Sequence, residues 1–135
     1  EDEIVNTRVK LAAIVVIVYR YASGDLQAHD KLLADIGSRG IAAIGVCNLD
    51  SNWADKVDVD KKETQLVINR AESKLRNNAK AEKCFRIAIE DIGKVTETSM
   101  REYGESIKDL QGYIEKLLKK RKPLIIALVS LVRYT

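Results

Sequence analysis

Methionine, proline, histidine, tryptophan and phenylalanine each occur once in 135 residues, and cysteine twice. Each scarcity excludes something. The lone histidine, His29, stands beside Asp30 on what reads as a polar helix face, away from any nucleophile. Ser-His-Asp and Cys-His catalysis both need a base next to the attacking group, so neither is expected. Cys47 and Cys84 lack a CxxC partner and cannot fill a tetrahedral zinc site alone. No HExxH, GxSxG or glycine-rich phosphate loop occurs. The twenty acidic residues include none in an apolar setting that would suit acid catalysis. The chain is therefore expected to be no enzyme, and to need no metal or cofactor. With no Asn-x-Ser/Thr acceptor, its surface is expected to be free of N-glycans.

Neither sign of charge dominates. Twenty-three basic residues against twenty acidic leave a net +3, mostly interleaved, which gives no global signal for nucleic acid. Acidic residues gather at Asp50, Asp55, Asp58 and Asp60, without the spacing or the glycine of a calcium loop. A solvated connection leading into a helix N-terminus fits them better. Basic residues gather at Lys116, Lys119, Lys120, Arg121 and Lys122. Cations there complement the negative end of a helix dipole, or form an anion-facing patch for a polyanion, an anionic lipid or an acidic protein. No aromatic residue interleaves with them, which argues against single-stranded nucleic acid.

Apolar runs are what the chain does have. Leu11 to Tyr19 holds nine residues without charge, closed by Lys10 and Arg20, well short of the roughly 20 needed to span a bilayer. Its β-branched composition favours a strand. Yet its flanks carry no turn dipeptide, and few other stretches alternate with period two. Residues 4 to 22 are accordingly read as a helix apolar all round, surrounded by others. A second helix runs from Leu26 to Ile36, capped by Asp25 and ended by Gly37-Ser38-Arg39-Gly40. Ile41 to Cys47 lies in a short third helix, about 40 to 49.

Asn48 to Asp60 reads as the longest connection, with Trp53 closing over the core. Asp60 and Glu63 then have capping-box spacing. The helical pattern they open extends to Ile92 and Gly93, with a break favoured at Arg76-Asn77-Asn78. Ser99 and Glu102 repeat the box before a seam of Met100, Tyr103, Ile107, Leu110, Ile114 and Leu117. Such a seam serves a coiled-coil dimer or packing within the chain; it is short for the former, and a dimer stays open. Pro123 opens a last helix, Leu124 to Arg133.

The expected fold is an all-α, single-domain bundle of five to six helices over residues 1–135, with the apolar terminal helices central. A Cys47–Cys84 disulfide would stabilise it by roughly 4 kcal/mol. With Glu1 in place of methionine read as a mature N-terminus after signal-peptide removal, the chain is expected to be secreted. It would act without catalysis by binding an extracellular protein, as an inhibitor or host-directed effector. Two alternatives are a carrier of a small apolar ligand between helices and a membrane-active protein that releases its terminal helices. No transmembrane segment is expected.

Overall fold

The structure, a computed structural model, describes residues 14–21, 26–49, 56–87, 107–121 and 126–131. In chain order these form β1 (Ile14–Arg20), a 3-10 turn (Gln27–His29), α1 (Asp30–Ser38), β2 (Ala42–Asn48), α2 (Asp58–Asn78), β3 (Lys83–Ile87), α3 (Ile107–Arg121) and β4 (Ile126–Leu131). The four strands make one parallel sheet in the order β3-β2-β1-β4. The fold is α/β, and the expected all-α bundle of five to six helices is overturned.

The physical reason lies in the apolar runs. Strands of a parallel sheet are covered on both faces, so they read as continuous hydrophobic stretches rather than alternating ones. A helix enclosed by helices has the same signature. The run read as a helix over 4 to 22 contains β1, residues 4–13 lying outside the described part. The short helix at 40 to 49 is β2, and the final helix at 124 to 133 contains β4. Only one of the two terminal segments is central, because β4 lies at the end of the strand order.

The helices cover the sheet asymmetrically. Val15, Ile17 and Tyr19 of β1 share a buried cluster with Leu32, Leu33 and Ile36 of α1 and with Ile68, Ala71 and Leu75 of α2. Ile14 and Val16 join Ile44, Val46 and Phe85 under α3, against Leu110, Tyr113, Ile114 and Leu117. The seam of α3 thus serves packing within the chain, and Met100 and Tyr103 lie outside the described residues. Phe85 meets Tyr113 edge to face, with ring centroids 5.8 Å apart. Ile14, Val15 and Ile17 are completely buried, and each such side chain is worth about 1.5–3 kcal/mol relative to exposure.

Helix boundaries are partly as the sequence suggests. α1 ends at Ser38, within the Gly37–Gly40 stretch that the sequence marks as its stop. α2 ends at Asn78, at the weak Arg76-Asn77-Asn78 segment, and the chain then enters β3 rather than a second helix. Its start departs from expectation: Val57 is the N-cap, in extended backbone and without a side-chain cap bond, so the Asp60–Glu63 box does not open the helix. Trp53, Gly93, the Ser99–Glu102 box and Pro123 lie outside the described residues.

No disulfide joins Cys47 and Cys84; both are free and buried. Cys47 stands opposite Arg86, whereas Cys84 stands opposite Gly45, so the cysteines are diagonal by two residues. From the strand spacing and rise, that separates their Cα atoms by about 8 Å, beyond the usual limit of about 6.8 Å for a bridge. Gly45 has its own reason: a Cβ there would lie 2.8 Å from Leu75 Cδ1 and 3.0 Å from Cys84 Sγ.

α1 and α2 meet closely, and Lys74 Nζ lies 2.7 Å from Asp30 Oδ1 across them. A Cβ on Gly37 would overlap the Asn78 carbonyl oxygen. Gly37→Ala is therefore expected to lower unfolding free energy by roughly 1–3 kcal/mol, as overpacking does, measured by urea denaturation. Lys80, just past α2, holds φ 59°, where a non-glycine residue is strained by about 1–2 kcal/mol. Lys80→Gly should raise stability by about 1 kcal/mol in the same assay; an unchanged midpoint would refute that assignment of strain.

Candidate functional site

Because all four strands are parallel, their carboxyl ends share one edge of the sheet. Strand order runs outward from β1 to β2 and β3 on one side, then reverses to place β4 on the other. α1 and α2 lie on one face and α3 on the opposite face. Open α/β sheets bind ligands outside the carboxyl ends of their strands, where the order reverses. In this chain that place is between β1 and β4.

Several polar groups gather along this edge. Arg20 closes β1 and is exposed. Tyr21 comes next, nearly buried, with Lys56 Nζ 5.6 Å from its ring centroid, within the range of a cation–π contact. Leu26, buried, takes the left-handed conformation at φ 65°, a strain of the kind that concentrates at functional positions. Its carbonyl accepts a 3.0 Å bond from the His29 amide, closing the 3-10 turn. His29 is half-buried, and its Nδ1 is enclosed with no hydrogen-bond partner among the described residues. Asn48, nearly buried, ends β2, and the Leu49 amide donates to the Ile87 carbonyl at 2.9 Å.

α1 and α2 both begin at this edge, because a helix that links parallel strands runs back against them. Their first turns carry Asp30, and Asp58 with Asp60. These carboxylates already answer the positive helix ends. Recognition of an anion here would fall to side chains, Arg20, His29 and Lys56, rather than to a backbone cradle.

Beneath α2, one register row crosses the sheet: Leu131, Tyr19, Cys47 and Arg86. Arg86 forks onto Glu72, with Nη2 2.7 Å from Oε1 and Nε 3.2 Å from Oε2, and Nη2 also donates to Asn69 Oδ1 at 2.5 Å. Glu72 is nearly buried. Removing one member of such a pair leaves the other charge uncompensated, so this clamp holds α2 to the edge strand. The Glu72 hydrogen bond raises the Arg86 pKa against the opposing effect of burial. Tyr19 has its hydroxyl enclosed with no hydrogen-bond partner among the described residues, and burial raises its pKa far above the phenolic range.

Burial also pushes the Cys84 thiol up to about 11, and neither cysteine is placed as a nucleophile. Among the described residues no three His, Cys, Asp or Glu side chains converge as a metal site, and no helix is long and apolar enough to cross a membrane. The basic cluster is elsewhere. Lys116 and Lys119 are exposed on the last turns of α3, Lys120 and Arg121 belong to the same helix, and Lys122 lies outside the described residues. α3 leads into the start of β4, so the cluster belongs to the amino edge, opposite the Arg20 site.

Sequence reasoning places His29 on a polar helix face, away from any site. Its significance depends on the preceding run being a strand: a polar residue soon after the first strand of a parallel sheet falls near the carboxyl edge. Placed after a helix, it is merely exposed. No protein family, curated protein or solved structure matched the chain.

The thiols permit a direct check. Folding holds the Cys84 proton more tightly than the ordinary thiol value of 9.0. The stability it contributes is complete below that value and falls as pH rises toward about 11. At about pH 8, native protein should resist a thiol reagent that labels both cysteines in denaturant, and intact mass should be the same before and after reduction. Rapid labelling of the native form would contradict the burial.

Proposed function

We propose that this chain is a non-catalytic binding module whose ligand sits at the carboxyl edge of the sheet, beside the ends of β1 and β4. The observation that carries it is the reversal of strand order at β1, with exposed Arg20 at the strand end and the enclosed His29 Nδ1 on the turn after it. Arg20 offers a planar fork of donors suited to phosphate or carboxylate, and His29 can donate or accept. Lys56, held over Tyr21, adds positive charge nearby. An anionic small molecule bearing a phosphoryl or carboxylate group is the chemistry that suits this set.

A protein partner is the second reading, favoured by Val57, Val59 and Leu66, the large apolar residues exposed at the start of α2. Val59 and Leu66 are seven residues apart and so share a helix face. That agrees with action through protein contact, as an inhibitor or effector would have. An extracellular location loses its main support with the bridge, since both thiols are free. The apolar runs behind the reading as a carrier of a small apolar ligand contain strands of the sheet, and the expected terminal helices of a membrane-active protein contain β1 and β4.

Equilibrium binding of ADP and of inorganic pyrophosphate, measured by calorimetry at low salt, tests the first reading. Binding is expected, with Arg20→Gln weakening it about tenfold or more, the loss of a charge-assisted bidentate contact. The double substitution Lys116→Gln with Lys119→Gln should leave it unchanged, because those residues belong to the other edge. No binding of either probe would sink the proposal, and sensitivity to the lysine pair alone would move the site to α3.

A further inference from the structure

The two outer strands of the sheet differ in a way that bears on assembly. β3, Lys83-Cys84-Phe85-Arg86-Ile87, carries two cations in five residues. Lys83 is exposed, its Nζ 5.5 Å from the Phe85 ring centroid, and Arg86 reaches α2. Charged residues, lysine above all, are how edge strands are kept from pairing with other chains. β4, Ile126-Ala-Leu-Val-Ser-Leu131, has no charge and no proline, and the uncharged run extends in sequence from Leu124 to Val132. It is also the longer of the two. Among the described residues, β4 pairs only with β1, which leaves one of its edges without a ladder.

We propose that β4 is the dimer edge of this protein, and that a second copy of the chain pairs with it to make one continuous eight-stranded sheet. Symmetry favours a copy of the same chain. A two-fold axis normal to the sheet sets two β4 strands antiparallel and leaves each face of one copy level with the same face of the other. Val129 and Leu131, each 4% exposed on the α1/α2 side, would then continue one apolar layer through the junction. On the α3 side Ser130 is exposed beside half-buried Val18, so a neighbouring strand meets a small side chain there. Self-pairing sets like residues near like, which suits an uncharged strand. The same operation on β3 would bring the Lys83 and Arg86 charges of two copies together, so β4 and not β3 is the self-complementary edge.

Light scattering coupled to size exclusion, run across a range of protein concentrations, reads the outcome. The proposal expects a particle of twice the 15.1 kDa chain mass, reverting to the single mass in Ser130→Lys. That substitution alters an exposed side chain and is expected to leave circular dichroism and the folded monomer intact. Lys83→Ala on the opposite edge should leave the dimer in place. Amide hydrogen exchange on the wild-type chain supplies a readout independent of any variant: every β4 amide should be slow in the dimer. A wild-type chain that stays at single mass at all concentrations, or a dimer that survives Ser130→Lys with β4 amides exchanging freely, would overturn the assignment.

Discussion

Every layer of this protein answers to one constraint, the double burial of β1. The strand has a hydrogen-bonded neighbour on each edge and a helix layer on each face. Five of its seven residues are buried hydrophobics. Parallel pairing demands this arrangement, since the connections must cross the sheet and deposit helices on it. α1 and α2 supply one cover and α3 the other.

With a helix layer on each face, the strand ends are where polar groups of the sheet can meet a ligand. The carboxyl edge is where helices begin and strands stop, so backbone direction changes and polar side chains can be held by buried neighbours. Arg20 is fixed by the last ladder position of β1, and His29 by the turn that starts at strained Leu26. The Arg86–Glu72 clamp lies just inside this edge and sets α2 against β3. The stretch of α2 nearest the open edge is thus tied to the core by a charged contact as well as by Ile68 and Ala71.

Much of the local structure is legible in the residues. The weak stretch at Arg76-Asn77-Asn78 ends a helix, Gly37 to Gly40 ends another, and the spacing through Leu110, Ile114 and Leu117 marks a true amphipathic face. The β-branched composition of Ile14 to Val18 also points to a strand. What outweighs it in sequence is the lack of a visible partner strand, and none is visible because its partners are uncharged runs like it. Ile41 to Cys47 and Leu124 to Val132 hide the alternation that would declare them. The cysteine pair misleads for a related reason: the order of cysteines along a chain carries no register, and the register puts them on a diagonal.

Composition by itself determined that the interior would draw on three apolar runs, the long uncharged stretches of the chain. Periodicity determined where α3 would show its apolar face, because a helix exposed on one side must alternate at its own pitch. Tertiary structure decided everything that depends on what lies beside a run rather than within it. It made strands of segments that would serve equally as enclosed helices, since hydrogen bonds between strands join residues distant in sequence. The same pairing parted Cys47 from Cys84 and brought His29 to the edge where the strand order turns.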